Sequence, residues 1–341
     1  MKTGVRIGLI GCGRAGRIHA RNIAGRVSGA ELVAVADSNP ETAQSTAREF
    51  GADNWYNHYS DLLQRDDVDA VVVVTPTNLH REIVVQAAGA GKHVLCEKPM
   101  ALDVAECREM IAACESATVK LQIGFMRRFD PSFRAAKEAI DSGVIGDVVL
   151  VKSLTHGPSV PQPWMFDVEA SNGPLAEVNS HDIDTLRWFT GSEVREVYAV
   201  AGNYRCPEVR ASFPEFYDNV VLTARLVSGA QGVIEGAVSV EYGYDARAEV
   251  LGTKGVLFVG ELGAQPVTVC TGETQMRRPI VKTWRTLFQT AYEAEDQSFV
   301  DAIREDRPPE VTGTDGLRAV EIVNAGNSSI RERAPIPLDV S

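Results

Sequence analysis

A glycine-rich turn between a strand and a helix constrains this chain more than any other feature. The turn, Gly11-Cys12-Gly13-Arg14-Ala15-Gly16, follows the apolar segment Val5–Ile10 and leads into a stretch with helical periodicity. Asp37 ends the next apolar segment, 21 residues beyond Gly16. This spacing of glycines and acid is typical of a βα unit in which the helix N-terminus faces a pyrophosphate. The pattern predicts a dinucleotide site, with a tight βα turn that binds no ligand as the alternative.

The acid at position 37 indicates which dinucleotide is bound. A carboxylate there accepts hydrogen bonds from the adenosine ribose hydroxyls and repels a 2′-phosphate, so the predicted cofactor is NAD rather than NADP. Further contacts are expected from the loops that follow later strands. The predicted cofactor-binding residues are Gly11, Cys12, Gly13, Arg14, Ala15, Gly16, Asp37, Ser38, Thr75, Pro76, Asn78, His80, Glu97 and Lys98.

The order of predicted elements indicates two α/β domains, as does a length of 341 residues. Strands alternating with helices predict a doubly wound parallel sheet, a Rossmann domain, over residues 1–124. Successive strands later in the chain predict a large open mixed or antiparallel sheet within residues 125–341. Strands are expected at 5–10, 31–36, 69–74, 92–96, 119–124, 147–155, 194–204, 216–227, 231–241 and 246–259. The later helices are expected at 131–142, 180–190, 286–305 and 314–332.

Composition excludes several classes of partner and site. The 34 Lys and Arg against 46 Asp and Glu give a formal charge of −12, and no basic stripe is present to bind nucleic acid. Six cysteines without a Cys-x-x-Cys pair argue against disulfides and a structural zinc site, and no metal is expected. The apolar segment near the N-terminus is too short for a signal peptide or a membrane span. We therefore expect a cytoplasmic protein without a membrane partner.

Two short motifs follow predicted strands, where ligands bind in open α/β sheets. The first is Thr75-Pro76-Thr77-Asn78-Leu79-His80, and the second is Glu97-Lys98-Pro99. A lysine in a defined turn at such a position can transfer protons, which makes Lys98 the first candidate acid/base. His80 could contact the cofactor or simply begin a helix, and Asn78 could cap that helix.

A third motif lies in the second predicted domain. Glu177 and His181 stand four residues apart, so a helix through both would place them on one face, where the carboxylate could orient the imidazole and raise its basicity. His181 is then a second candidate for proton transfer. Arg127 suits substrate hydroxyls or a carboxylate. His156, Trp164 and Tyr244 are candidates for a sugar pocket because aromatic faces pack on ring C–H groups; ordinary packing is the alternative for each.

Taken in order, the glycine fingerprint, Thr-Pro-Thr-Asn-Leu-His, Glu-Lys-Pro and His181-Asp182-Ile183-Asp184 resemble the GFO/IDH/MocA oxidoreductase family. The segment Gly124-Phe125-Met126-Arg127-Arg128-Phe129-Asp130-Pro131 resembles its inositol dehydrogenase branch. The resemblance implies a C-terminal domain used for substrate binding and oligomerisation. It assigns catalysis to Lys98 and to an Asp-x-x-x-His pair, in which Glu177 here replaces the aspartate and His181 matches the histidine.

The expected activity is that of an NAD-dependent dehydrogenase. It would transfer a hydride between nicotinamide and a ring carbon of a cyclic, inositol-like polyol or a sugar. Two alternatives stay open: a glucoside or keto-sugar dehydrogenase or reductase on the same fold, and a non-catalytic NAD-binding sensor. Because an open sheet needs covering, a homodimer or homotetramer is expected.

Overall fold

A six-stranded parallel sheet forms the N-terminal part of the computed structural model, which describes residues 4–263, 269–270, 276–277 and 279–339. The strand order is β3-β2-β1-β4-β5-β6, and all neighbouring strands are parallel. The elements are β1 (Val5–Ile10), α1 (Gly16–Gly25), β2 (Ala30–Ala36), α2 (Pro40–Phe50), β3 (Asn54–Tyr56), α3 (Tyr59–Leu63), β4 (Ala70–Val73), α4 (His80–Gly89), β5 (His93–Glu97), α5 (Val104–Ser116) and β6 (Leu121–Gly124).

This sheet confirms the predicted doubly wound fold. The chain builds outward from β1 through β2 on one side and β4 on the other, so the strand order reverses beside β1, where open α/β sheets bind ligands. Both central strands are buried on both faces, which explains their continuous apolar sequences. The sequence predicted five strands here and missed β3, a three-residue edge strand.

A seven-stranded mixed sheet follows, in the order β12-β11-β7-β10-β9-β8-β15; β7 and β10 are parallel and the other pairs antiparallel. Its elements and those around it are α6 (Pro131–Asp141), β7 (Val148–His156), α7 (Val168–Ser171), α8 (Gly173–Glu177), α9 (Ser180–Thr190), β8 (Val194–Gly202), β9 (Asn219–Leu226), β10 (Gln231–Ala237), β11 (Asp245–Gly252), β12 (Val256–Val259), the short hairpin β13 (Val269–Cys270) and β14 (Met276–Arg277), α10 (Trp284–Leu287), α11 (Gln289–Arg304), α12 (Gly313–Glu332) and β15 (Ile336–Pro337).

Two predicted elements of this region were wrong in length. The strand expected at 246–259 is the hairpin β11–β12, because the chain turns where the Gly252 N–H bonds to the Gly255 carbonyl. The helix expected at 286–305 is divided at Phe288 into α10 and α11. The mixed character of the sheet was predicted correctly.

One face of the seven-stranded sheet is covered and the other is open. Helices α8 and α9 pack on the covered face, and inward side chains such as Val197, Leu222 and Ile234 are buried there. On the alternate positions Tyr198 is 39% exposed and Val200 is 54% exposed. The strand alternation therefore leaves apolar side chains on the uncovered face.

The described residues divide into two compact units. The first holds those up to Phe129 together with Thr290–Val320, and the second holds those of Asp130–Gln289 and from Glu321 onward. Residues 290–320 thus belong to the same unit as the N-terminal sheet. The domain boundary predicted after residue 124 did not include this later segment. Among the described helices, none combines the length and the apolar character needed to cross a bilayer.

Candidate functional site

The turn after β1 has the shape that the glycine fingerprint requires. Gly11 has φ +97°, and a Cβ at that position would lie 2.5 Å from the Val74 carbonyl oxygen. A Cβ at Gly16 would lie 2.0 Å from the Gly11 oxygen. Gly13 is exposed and has nothing within 4 Å of an added Cβ. The turn is therefore closed towards the sheet and open outward at the N-terminus of α1, which fits the approach of a pyrophosphate.

Asp37 ties the end of β2 to this turn. Its Oδ2 accepts the N–H of Cys12 at 2.8 Å, and its Oδ1 accepts the N–H of Asn39 at 2.9 Å. The side chain is half-buried, and Ser38 beside it is exposed. Because each carboxylate oxygen has a second acceptor position, Asp37 can also receive ribose hydroxyls. Arg14 is exposed at the outer side of the turn, and Ala15 is half-buried.

His80 links the loops that follow β4 and β5. His80 is the first residue of α4, and it is 1% exposed. Nδ1 lies 2.9 Å from the Pro99 carbonyl oxygen, and Nε2 lies 2.9 Å from that of Thr75. Burial lowers the pKa of this imidazole. Of the two roles the sequence left open, His80 does begin a helix; its two ring contacts also hold the loops together, which the sequence did not predict.

Other members of the first loop face outward. Pro76 and Asn78 are exposed, and Thr75 is half-buried. The N-cap position of α4 is occupied by Leu79, so Asn78 is not the cap of that helix. Asn78 thus stays a candidate for ligand contact.

Lys98 lies directly after β5, at the same edge of the sheet as the glycine-rich turn. Its side chain is half-buried, and its backbone N–H donates to Glu97 Oε2 at 2.9 Å. The peptide bond from Lys98 to Pro99 is cis. A lysine amino group at this sheet edge can exchange a proton with a bound hydroxyl. Arg127, on a short turn after β6, is 1% exposed.

In the second unit, Glu177 and His181 belong to different helices. Glu177 is the last residue of α8, whereas His181 is the second residue of α9. The helix expected at 180–190 is confirmed as α9, but no single helix runs through Glu177 and His181, because the chain leaves α8 at Val178 and Asn179. His181 is 5% exposed and Glu177 is half-buried.

Asp182 fixes the start of α9 against β7. Its carboxylate accepts the hydroxyls of Ser153 at 2.6 Å and Thr155 at 2.7 Å, and the Asn179 amide at 2.8 Å. The side chain is 0% exposed. Since His181 is the adjacent residue, these bonds also fix the position of its backbone.

The sugar-pocket candidates have different environments. His156 Nδ1 lies 2.5 Å from the Tyr242 hydroxyl, and Nε2 lies 3.1 Å from Glu235 Oε1. Trp164 is 39% exposed on a short turn. Tyr244 is buried with its ring edge towards Phe288. His156 and Trp164 keep polar or exposed surface, whereas Tyr244 packs in the core of the unit.

Comparison with protein-family models decides the family. Residues 5–125 match the oxidoreductase family with an NAD-binding Rossmann fold, and residues 133–258 match the GFO/IDH/MocA C-terminal domain. The chain belongs to the GFO/IDH/MocA oxidoreductase family. NAD is accordingly the cofactor of this GFO/IDH/MocA protein, as the turn and Asp37 predicted.

Relatives match the GFO/IDH/MocA chain along its whole length. A scyllo-inositol 2-dehydrogenase (NAD(+)) of Bacillus subtilis (strain 168) is 35% identical, covering 100% of this chain and 98% of the relative. An inositol 2-dehydrogenase of Rhizobium meliloti (strain 1021) is 34% identical, with 98% and 99% covered. The crystal structure of scyllo-inositol dehydrogenase from Lactobacillus casei with bound NAD(H) and scyllo-inositol has a TM-score of 0.89 at 29% identity, covering 98% and 99% of the two chains.

A set of buried groups in this GFO/IDH/MocA protein was not predicted as a site. His19, Glu97, Glu295 and Asp296, here called the buried acid cluster, are each at most 5% exposed. His19 Nδ1 lies 2.7 Å from Asp296 Oδ1, and Nε2 lies 3.2 Å from Glu97 Oε1. One ligand atom each from His19, Glu97 and Glu295 lie within 4.8 Å of one another, a spacing that a metal ion could bridge. Both ring nitrogens of His19, however, already face carboxylate oxygens.

The charge state of Glu295 gives a prediction about pH. Burial, and then the charge of Glu97, raise the pKa of Glu295 well above its ordinary value of 4.5. The folded protein therefore holds a proton that the unfolded chain releases, so its stability falls as pH rises above the unfolded pKa. Between about pH 5 and 6.5 this fall is about 1.4 kcal/mol per pH unit for one proton. We expect Glu295→Gln to remove it.

Urea unfolding at several pH values measures this effect. Below about pH 6.5 the histidines are protonated in the unfolded chain too, so the raised pKa of His19 contributes little to the slope there. Glu332→Gln, at the exposed end of α12, is the control and should keep the wild-type slope. Equal slopes for wild type and Glu295→Gln would show that Glu295 is ionised in the fold.

Asp37 gives a prediction about cofactor choice. Asp37→Asn keeps one acceptor for the Cys12 N–H but removes the negative charge and one ribose acceptor. We expect kcat/KM for NAD to fall by about 10- to 100-fold, since hydrogen bonds to charged groups contribute about 1.5–3 kcal/mol. The ratio of NADP to NAD activity should rise. The exposed Asp66→Asn is the control; an unchanged cofactor ratio in Asp37→Asn would contradict the role of Asp37.

Proposed function

We propose that this protein is a polyol dehydrogenase that oxidises a secondary alcohol of a cyclic, inositol-like polyol with NAD as hydride acceptor. The observation that carries the proposal is the half-buried Lys98 at the strand edge that also holds the glycine-rich turn. The relatives named as inositol dehydrogenases, which align over nearly the whole chain, support the substrate class.

Each residue of the proposed site has its own role in the reaction. The glycine-rich turn and Asp37 would hold NAD, which would supply the hydride acceptor for the ring carbon. Lys98 takes the proton of the hydroxyl on that carbon in oxidation and returns it in reduction. His181 assists this proton transfer, and Glu177 orients the histidine or the substrate. Arg127 binds further hydroxyls, because its guanidinium presents several donors.

The proposed substrate-binding set extends beyond the residues assigned to proton transfer. His156 and Trp164 are supported by the polar contacts and exposure described above, while Tyr244 has the support only of its aromatic face. The proposed substrate-binding residues are Lys98, Arg127, His156, Trp164, Glu177, His181 and Tyr244.

An activity panel tests the proposal. NADH formation is followed by absorbance with myo-, scyllo- and chiro-inositol, glucose, levoglucosan and methyl glucosides, each with NAD and with NADP. Activity with NAD on an inositol supports the proposal. Activity confined to glucosides would assign the substrate to another class, and tight NAD binding without any turnover would favour a sensor.

The uncovered face of the seven-stranded sheet supports a homo-oligomer, a homodimer or homotetramer. Val200 and Leu251 are large apolar side chains on strands of this sheet, 54% and 41% exposed, and such a surface is stabilised by burial against another subunit. Sedimentation velocity at several concentrations measures the state. A cytoplasmic location is supported by free thiols at Cys12, Cys96, Cys107, Cys114 and Cys206.

A further inference from the structure

The buried acid cluster lies directly behind the residue that the proposed function assigns to proton transfer. Glu97 is the last residue of β5, and Lys98 is the next residue along the chain. The cluster partners come from distant parts of the same unit: His19 from α1 and Asp296 from α11. The fold therefore brings β5, α1 and α11 together at the imidazole of His19, which contacts both Glu97 and Asp296.

The carboxylate of Glu97 is held at both oxygens. Oε2 accepts the backbone N–H of Lys98 at 2.9 Å, and Oε1 lies 3.2 Å from His19 Nε2. Gly124 closes the third side, because a Cβ there would lie 3.0 Å from Glu97 Cδ. This combination leaves the side chain little freedom to change its position.

His19 is itself held in place. Its Nδ1 lies 2.7 Å from Asp296 Oδ1, and Asp296 Oδ2 accepts the Asn22 amide at 2.9 Å. Tyr292 packs edge-on against the imidazole at a centroid distance of 5.5 Å. Both ring nitrogens face carboxylate oxygens, and an imidazolium donates to both. Burial alone would lower the pKa of His19, but Asp296 and Glu97 raise it well above its ordinary value.

Glu295 completes the charge balance. Its carboxyl group is 0% exposed, and neither oxygen has a hydrogen-bond partner among the described residues. Protonation of this acid leaves two carboxylates, Glu97 and Asp296, around one imidazolium. A neutral Glu295 therefore adds no third negative charge beside the group that accepts the Lys98 N–H.

We infer that Glu97 is a positioning residue for Lys98, held in that role by His19 and Asp296. The inference rests on the proposed function of Lys98. Fixing the backbone N–H of Lys98 fixes where its side chain leaves the strand, and hence where its ammonium meets a hydroxyl. Glu97, which the sequence predicted to bind the cofactor, would instead act on turnover through Lys98, because both of its carboxylate oxygens contact groups of the protein. A displacement of about 1 Å at a reacting group can cost about 100-fold in rate.

Variants of Glu97 test the inference on the full-length protein. Glu97→Ala removes the acceptor, and we expect kcat to fall by about 100-fold while Kd for NAD changes by less than about threefold. Glu97→Gln can still accept the Lys98 N–H and donate to a neutral His19. We expect it to keep kcat within about tenfold of wild type, because only the charged character of the bond is lost. Equal losses in both variants would overturn the inference.

Two further variants separate positioning from general damage. Gly124→Ala leaves every polar group in place but presses on the Glu97 carboxyl, so kcat should fall while Kd for NAD is kept. His19→Ala should lower kcat, and its effect should vanish in the Glu97→Ala background, because both residues act through one bond. Additive losses in the double variant would overturn the inference. Glu106→Ala, which removes a glutamate that accepts the N–H of Leu102 at 3.0 Å, is the matched control.

Hydrogen exchange of the Lys98 amide provides a readout that does not depend on activity. Mass spectrometry of peptides that span β5 and Lys98 should show faster exchange at this amide in Glu97→Ala than in wild type or Glu97→Gln. If Lys98→Ala keeps full turnover, the proposed function fails, and the exchange data still decide whether Glu97 holds Lys98. Unchanged exchange in Glu97→Ala would overturn the inference, as would a stoichiometric metal in the purified protein that Glu295→Gln removes.

Discussion

Lys98→Ala is expected to lower kcat by about 1,000-fold, the middle of the range for a general acid or base. The lysine lies after β5 at the sheet edge of the glycine-rich turn, so its removal takes away the proton acceptor of the proposed reaction. Binding of NAD should weaken far less than kcat falls, because the turn and Asp37 are left in place. Steady-state kinetics on the best substrate of the panel and Kd for NAD by fluorescence measure the two effects.

The control for this variant is Lys120→Ala. Lys120 precedes β6 and pairs with Asp306 at 2.9 Å, at the opposite edge of the same sheet. The Lys120→Ala variant should keep the kcat of the wild type. Added primary alkylamines should restore part of the turnover of Lys98→Ala, because a free amine can take the place of the missing one. A kcat within threefold of wild type in Lys98→Ala would remove Lys98 from the mechanism.

The sequence was most informative where a feature is local. The glycine-rich turn, Asp37 and Glu97-Lys98-Pro99 each lie within a few residues of a strand end, so strand prediction alone placed them at one sheet edge. Edge strand β3 was missed because it has three residues and no alternation, with Trp55 41% exposed. The start of α9 was predicted at residue 180, but the sequence did not indicate that Glu177 ends a separate short helix, α8, because five residues are too few to show helical periodicity.

Long-range contacts could not be predicted from the sequence in the same way. His19 and Asp296 are separated by 277 positions, and no local pattern connects them. The ring of His19 bridges two carboxylates, which its local sequence does not indicate. The sequence held one indication of this site. Two adjacent acids, Glu295 and Asp296, lie in the same helix as Phe299 and Val300 of the core. Burial of acids becomes evident only when the partner helix is in place.

Asp182 gives the second large effect, on stability and on activity together. Asp182→Ala leaves the hydroxyls of Ser153 and Thr155 and the Asn179 amide without their acceptor in a buried site. Since each buried donor left unsatisfied costs about 1–3 kcal/mol, we expect a loss of at least about 3 kcal/mol in the free energy of unfolding. Urea denaturation followed by circular dichroism measures it.

Two further variants show whether the loss of stability comes from the hydrogen bonds of Asp182 or from the loss of side-chain volume. Asp182→Asn keeps one acceptor oxygen, but its NH2 group faces groups that donate, so this variant should be destabilised as well. The loss should be smaller than in Asp182→Ala, because the Thr155 hydroxyl can accept a hydrogen bond from the NH2 group. Ser153→Ala alone should cost about 1 kcal/mol, and nothing further when added to Asp182→Ala, because the shared bond is already lost. An additive cost of Ser153→Ala would mean that its hydroxyl is stabilised by something other than Asp182.

The effect on turnover follows from the position of His181 beside the anchor. Without Asp182 the start of α9 is no longer bonded to β7, so the backbone of His181 is no longer fixed. We therefore expect kcat to fall even at temperatures where Asp182→Ala is fully folded. His181→Ala in the same background should then cost less than it does in wild type. If instead Asp182→Ala is destabilised but keeps full turnover, Asp182 stabilises the unit without placing His181, and the proton-transfer role proposed for the histidine would have to rest on other contacts.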